Sequence, residues 1–486
     1  MKRIHHHIIF RKYAIYMVCL GILLGGCKKY LDMPLPLDVI AGEAAFTTDK
    51  SCAAVINNVY SSLAGGSGGI NNIFDGKGIG YYTGIYSDEL QSIGLPTATE
   101  RIYYQNAVQA ANTGGTWASI YKLMYSINLA IEGVSSASEA TVRYKSQWLG
   151  EAYFMRALLH FYLVNLFGDC VLATTSDYRV NNTASRSKVQ DVYAQIIKDL
   201  LQAQSLLSDS YKGGNGQETV DRGRPNKAAA TALLARVYLY NKDWTNAEIQ
   251  ASAVIGNSLY QLPALAEVFL KGSKETICAF APVAGSFARD YEAYNNGMAA
   301  TVPAFPANGV QVAMSNDLVS TFEPGDNRFT SWTRLATSIT DTTIRYRFPD
   351  KYKTRINDVE YIVVLRLAEQ YLIRAEARAQ LGRVVGAGSA QSDLDAIRTR
   401  AGLPGTTASS SAEMQNAIAK ERRTELFAEN GHRMFDLRRT EKLNDLMVVL
   451  TPMKGGTSWQ PYMQWWPIPV DDIFANPNLV QTAGYQ

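Results

Sequence analysis

A pattern of small residues at helical spacing constrains this chain more than any other feature. Leu234, Ala235 and Tyr238 are followed, across a short break, by Ala247, Ala251 and Val254. Residues three and four apart share one face of an α-helix. Small side chains let two helix axes approach where they cross, and larger neighbours fill the flanks. The pattern therefore predicts two helices folded back on each other, with Lys242-Asp243-Trp244 as the tight turn. A looser version runs from Arg366 to Leu381, turns between Gly382 and Ser389, and continues through Ala390, Leu394 and Ile397 until Gly402 and Pro404 stop it.

The first of these hairpins places its residues where a tetratricopeptide repeat places its packing positions. Other long helical patterns fall at 47–63, with Thr47 or Thr48 as N-cap, and at 116–134, 147–167 and 188–207. The third carries Trp148, Ala152, Met155, Leu159, Tyr162 and Leu166 on a strongly apolar surface and ends at Gly168, a suitable C-cap. A glycine-rich turn follows the fourth, from Gly213 to Gly216. The expected fold is mainly α, a tetratricopeptide-like scaffold of helix pairs with long irregular loops and a few short strands. Two regions break the regularity, 65–115 and 257–365, both rich in Gly, Pro, Asn and Tyr. The second contains β-like runs at 276–280 and 343–348. Irregular stretches of this length inside a folded domain usually carry function.

The N-terminus reads as an export signal. Lys2, Arg3, Arg11 and Lys12 precede an uncharged stretch, 13–26, that is too short to span a bilayer and suits the apolar region of a signal peptide. It ends in Leu24-Gly25-Gly26-Cys27, small residues before a cysteine as in a bacterial lipobox. Residues 1–26 are expected to be removed and Cys27 to carry the lipid, leaving 27–486 as a single domain. Taking the four leader bases from 47 Lys and Arg leaves 43 against 44 acidic residues. A near-neutral chain has no electrostatic reason to bind nucleic acid. Cys52, Cys170 and Cys278 are odd in number and widely spaced, which fits buried thiols and neither a disulfide framework nor a metal site. No cofactor or metal is expected.

Several motifs dissolve on inspection. Gly65-Gly66-Ser67-Gly68-Gly69 matches G-x-S-x-G, but a nucleophile elbow needs a strand before it, and here a helix precedes. Gly76-Lys77-Gly78-Ile79-Gly80 has the glycines of a phosphate loop without the hydroxyl residue or the strand–loop–helix setting. His160 and His432 are the histidines left after the leader, and His160 sits in an apolar helix. Glu421 and Glu425 stack at i,i+4, a spacing compatible with a two-carboxylate glycosidase. Arg422, Arg423, Arg433, Arg438 and Arg439 crowd around them, so a structural ion-pair network in which the acids stay ionised is the expected reading, and no catalytic residue is assigned.

The irregular regions hold Tyr81, Tyr82, Tyr86, Tyr103, Tyr104, Tyr291, Tyr294 and Trp332, with Asp88, Arg101, Asn295 and Asn296 near in sequence. A sugar has an apolar face that stacks on a ring and hydroxyls that bond to polar groups. The alternative is that the rings pack loops onto helices. The ligand-binding candidates are Tyr103, Tyr104, Tyr291, Tyr294, Trp332, Asp88 and Arg101, with ring faces expected on one common surface.

Taken in order, the pieces resemble one family. Cys27-Lys28-Lys29-Tyr30-Leu31-Asp32, Glu151-Ala152-Tyr153-Phe154-Met155-Arg156-Ala157 through Phe167-Gly168-Asp169, Ala232-Leu233-Leu234-Ala235-Arg236-Val237-Tyr238-Leu239 and Leu372-Ile373-Arg374-Ala375-Glu376-Ala377 are similar to SusD/RagB proteins. Glu421-Arg422-Arg423-Thr424-Glu425-Leu426, Arg433-Met434-Phe435-Asp436-Leu437-Arg438-Arg439, Trp466-Pro467-Ile468-Pro469 and Asn476-Pro477-Asn478-Leu479-Val480-Gln481 complete the resemblance, which spans the mature chain. It implies four tetratricopeptide-like helix pairs. It also implies a lipid-anchored, surface-exposed outer-membrane protein that sits as a hinged lid over a SusC-like TonB-dependent transporter and captures glycans or, in some relatives, peptides. It transfers no ligand residues. A non-binding lid and a surface glycoside hydrolase are the competing classes.

Overall fold

The computed structural model describes residues 44–65, 73–94, 96–295, 304–305 and 312–485. The leader, Cys27, residues 66–69 of the glycine loop and Asn296 lie outside them. Internal contacts separate residues 1–45 from 46–486, and the architecture below is that of the second unit.

Among the described residues, the α-helices of seven or more residues are α1 (Asp49–Ala64), α2 (Ile79–Tyr86), α3 (Ala98–Tyr104), α4 (Gly114–Ser136), α5 (Lys145–Phe167), α6 (Val189–Leu206), α7 (Lys227–Tyr240), α8 (Trp244–Ile255), α9 (Leu367–Gln380), α10 (Ala390–Arg400), α11 (Ser411–Glu425), α12 (His432–Arg439) and α13 (Leu443–Met453). Their ends follow local chemistry. Thr48 accepts the Ser51 amide and opens α1, with Ser51 returning the bond as a capping box. Gly168, at φ +70°, closes α5.

Helix α5 is apolar nearly all round because it is covered nearly all round, packing against α1, α4 and α6. Helices α7 and α8 form the expected hairpin. Lys242, at φ +58°, makes the turn and Asp243 caps α8 by accepting the Asn246 amide. Leu234, Ala235, Ala247, Ala251 and Val254 are all buried, and α8 packs on α9 as well as on α7. The second pair, α9 and α10, closes over α11 through Ala368, Leu372, Ala375, Leu394, Ile397 and Ile418. Between the two pairs Arg236 and Glu369, both fully buried, meet in a two-pronged ion pair with both contacts at 2.6 Å. Cys52, Cys170 and Cys278 are buried free thiols.

Among the described residues, six strands of three or more residues complete the frame: β1 (Leu90–Ser92), β2 (Thr276–Phe280), β3 (Val312–Met314), β4 (Thr333–Ser338), β5 (Arg345–Pro349) and β6 (Ile362–Arg366). β6 pairs antiparallel with β2, β5 with β4, and β1 with β3 in the register Leu90↔Met314. The run expected at 343–348 pairs over Arg345–Pro349, starting two residues later and ending one later. The region 65–115 is less irregular than its composition implies, since it folds into α2, β1 and α3. Among the described residues no helix is long and apolar enough to cross a membrane.

Candidate ligand-binding surface

The two sequence excursions lie side by side. Strand β1 of the first pairs with β3 of the second, and Ser315 bonds back to the carbonyls of Asp88 and Glu89. Nearer the chain's start the loops clasp each other reciprocally. The Arg289 amide donates to Asp75 at 2.7 Å, and the Gly76 amide donates to Asp290 at 3.3 Å. The Tyr81 and Tyr294 rings meet at 5.9 Å.

Burial pushes the Asp75 carboxyl up to about 7 against the Arg289 amide, and pushes Asp290 up as well. An acid whose folded value lies above its unfolded one holds its proton more tightly in the fold. Its contribution to stability is therefore lost as pH rises from the ordinary aspartate range through about 7. The thermal midpoint should drop as pH rises from 5 to 7.5, and Asp75→Asn should reduce that slope while keeping an acceptor for Arg289, the remainder coming from Asp290 and Glu89, which burial also pushes up. An unchanged slope in the variant would assign the pH dependence elsewhere.

This juxtaposition does not expose the expected rings. Tyr103 is fully buried, held between Tyr82 at 4.9 Å and Trp466 at 5.0 Å, with its hydroxyl donating to the Asn112 carbonyl. Trp332 is fully buried too. Its indole N–H donates to the Leu265 carbonyl, and Lys351, Arg366 and Arg400 all sit within 6 Å of its ring. Tyr294 is buried against Tyr81. These three rings offer no face to a ligand because α2, the ion pairs and the C-terminal segment already occupy their faces. Tyr81, Tyr82 and Tyr86 are likewise core, as residues of a buried helix.

Asp88 is committed as well. Arg433 grips it with two bonds of 2.7 Å and Arg423 adds one of 2.8 Å. Burial would raise this carboxyl, but the Arg433 and Arg423 contacts bring it below the usual carboxylate range. Asn295 donates to the Pro349 carbonyl from a buried position. What remains accessible is Arg101, exposed on α3, with half-buried Tyr104 and half-buried Tyr291. The two rings keep different company. Tyr104 faces the Lys454 ammonium at 4.9 Å, and Tyr291 faces Arg355, which pairs with Glu292. Lys454 donates to three successive carbonyls at the end of α2, Ile85, Tyr86 and Ser87, and so ties Tyr104 to a rigid base.

The carboxylates that share a helix face are consumed internally. Glu425 receives Arg366 at 2.6 Å, Arg328 at 2.9 Å and Arg400, while Glu421 receives Arg328 at 2.6 Å and Arg398 at 3.2 Å. Glu425 is held well below the carboxylate range although burial opposes it. Glu421 shifts the other way, because burial outweighs Arg328 and Arg398 and pushes its carboxyl up. His160 is fully buried, donates from Nδ1 to the Arg156 carbonyl, and is pushed down to about 3 by burial and by Arg156. His432 is pushed well down by burial and by Arg236. Lys77, the lysine of the glycine-flanked loop, is paired with Glu100 at 2.7 Å.

Comparison with known proteins follows the same lines. Residues 174–485 match the family described as the SusD family, and residues 54–239 match one described as starch-binding, associating with outer membrane. The chain belongs to the SusD family. SusD-like protein P2 of Formosa agariphila is 26% identical, covering 98% of this chain and all of that protein. The starch-binding protein SusD of Bacteroides thetaiotaomicron is 25% identical over 73% of this chain and 75% of its own length. Among solved structures, a laminarin-binding SusD-like protein superposes with TM-score 0.72 at 24% identity, covering 90% of this chain and all of that one. Surface glycan-binding protein A from Bacteroides uniformis gives TM-score 0.76 at 19% identity, with the same coverage. These likenesses give the SusD fold, mainly α with tetratricopeptide-like pairs.

Ring exposure in this SusD-family chain also appears on a regular helix. Trp117, Tyr121 and Tyr125 form an i, i+4, i+8 stripe on α4, a spacing that ordinarily signals core. Only Trp117 is buried, and Tyr125 is half open. The polar residue that continues the stripe, Asn128, was the available signal.

Proposed function

We propose that this SusD-family chain is a lipid-anchored, surface-exposed outer-membrane protein, folded as one domain from Cys27 onward, that captures glycans and passes them to a SusC-like TonB-dependent transporter without cleaving them. The observation that carries the capture reading is the knitting of the two excursions through β1 and β3 and through Asp75–Gly76 and Arg289–Asp290, which leaves Arg101 and Tyr104 accessible beside a rigid base. The family description of outer-membrane association and the starch- and laminarin-binding relatives support the glycan class. The arginine-held Glu425 and the buried histidines support binding over catalysis.

A second reading, a lid that touches no ligand, is favoured by one observation, the burial of Tyr103, Trp332 and Tyr294. Calorimetry with neutral oligosaccharides separates the two. Arg101→Ala and Tyr104→Ala should each weaken binding by about 1 kcal/mol or more, the scale of a lost ring or guanidinium contact at an interface. Unchanged affinity in both, with intact folding, would leave only the lid.

A further inference from the structure

The stripe on α4 forms one wall of a groove of about 330 Å³, which the short helix Tyr178–Asn181 and the C-terminal segment around Asp472 close. The volume lies within the range of small-molecule sites. Its base is built by hydrogen bonds that fix the walls. The Trp117 indole donates to Asp472 at 3.1 Å, and the Tyr121 hydroxyl donates to the Val171 carbonyl at 2.8 Å. Asn128 lies fully buried beneath, donating to the Ala173 and Thr175 carbonyls and accepting from Arg156. The Trp117 and Tyr121 rings pack on one another at 4.6 Å, and Phe167 backs Trp117 edge-on at 4.9 Å.

On this rigid base stand two rings that the chain leaves open. Tyr125 is 51% exposed and Tyr178 is 68% exposed. Exposed Asn182 lies among the lining residues, giving an amide that both donates and accepts. Among the described residues no lysine or arginine lines the groove, and the one carboxylate that does, Asp472, is already engaged by Trp117. Rings with free faces beside neutral amides suit a ligand that is apolar on one face and hydroxylated at its edge, and the missing cations exclude one that carries acid groups.

We propose that this groove is a second carbohydrate site, separate from the loop-borne surface, and that it takes an uncharged pyranose chain by stacking it on Tyr125 and Tyr178. The site differs in kind from the surface at Arg101, where a cation is available. The arrangement also explains why rings sit solvent-open on a helix stripe whose first member is core.

The test is calorimetry on the full-length protein in detergent, with neutral hexasaccharides of glucose, mannose and xylose and with polygalacturonate as the acidic probe. At least one neutral probe should bind. The double variant Tyr125→Ala/Tyr178→Ala should lower its affinity about tenfold, with an unchanged melting temperature, because both rings are largely solvent-facing. Tyr178→Phe should keep most of the affinity that Tyr178→Ala loses. The inference is overturned if the double variant binds neutral probes like the parent, if no neutral probe binds the parent, or if polygalacturonate binds at the groove more tightly. It is also overturned if the double variant keeps its glycans but loses co-purification with an outer-membrane transporter, which would make the groove a protein interface. Affinity lost on Arg101→Ala and Tyr104→Ala but kept in the groove variant would leave the capture reading standing and remove the second site.

Discussion

Replacing Arg366 with methionine should lower the free energy of unfolding by about 3–5 kcal/mol, the usual result of removing one partner from a buried ion pair. Arg366 is fully buried at the end of β6 and meets three carboxylates, Glu275 at 2.8 Å, Glu425 at 2.6 Å and Glu429 at 2.8 Å. It also donates to the Glu425 carbonyl at 2.8 Å. Methionine fills similar volume but leaves those acids to Arg400, Arg328 and Lys351, in a region that excludes the water needed to solvate the remainder. Trp332 covers this cluster, so the same change should disturb its indole environment. Denaturant unfolding followed by tryptophan fluorescence measures both effects. Lys242→Ala, which breaks the exposed pair with Glu441, serves as the contrast and should stay within about 1 kcal/mol of the parent. Equal effects for the two variants would contradict the view that burial makes the Arg366 cluster decisive.

Cys27→Ala should move the protein from the membrane fraction to the soluble fraction almost completely. The expectation rests on Leu24-Gly25-Gly26-Cys27 and on lipid arithmetic. Each buried methylene contributes about 0.8 kcal/mol, so a multiply acylated cysteine anchors stably and its loss leaves nothing comparable. The described residues offer no membrane-spanning helix as a substitute. Fractionation must be done in cells lacking the transporter, since a partner would retain the variant by itself. A Cys27→Ala protein that still sediments with outer membrane under those conditions would refute the anchor.

The sequence by itself determined what depends on near neighbours. The α7–α8 hairpin was legible because helical period and turn chemistry are local, and Lys242 and Asp243 sit where the turn needs them. The N-cap at Thr48 and the stop at Gly168 were legible for the same reason. The arginine-rich network around Glu421 and Glu425 could be anticipated from composition, but its reach to Glu275, Arg328 and Lys351, from 74 to 150 residues before Glu425, could not. The order of short motifs along the chain was enough to indicate the SusD family.

Only the tertiary structure decided which rings face solvent. Tyr103 and Tyr104 are adjacent on α3, yet one is sealed beneath Trp466 while the other stays half open beside Lys454, because successive helical residues point about 100° apart. Trp332 looked like a loop ring and is instead the cover of a buried charge cluster assembled from segments far apart in sequence. Along α4 the same i,i+4 stripe passes from buried Trp117 to open Tyr125, because the C-terminal segment around Asp472 holds Trp117 and leaves Tyr125 half exposed. Exposure is set by what distant segments bring to each ring, and that information is absent from any local window of the sequence.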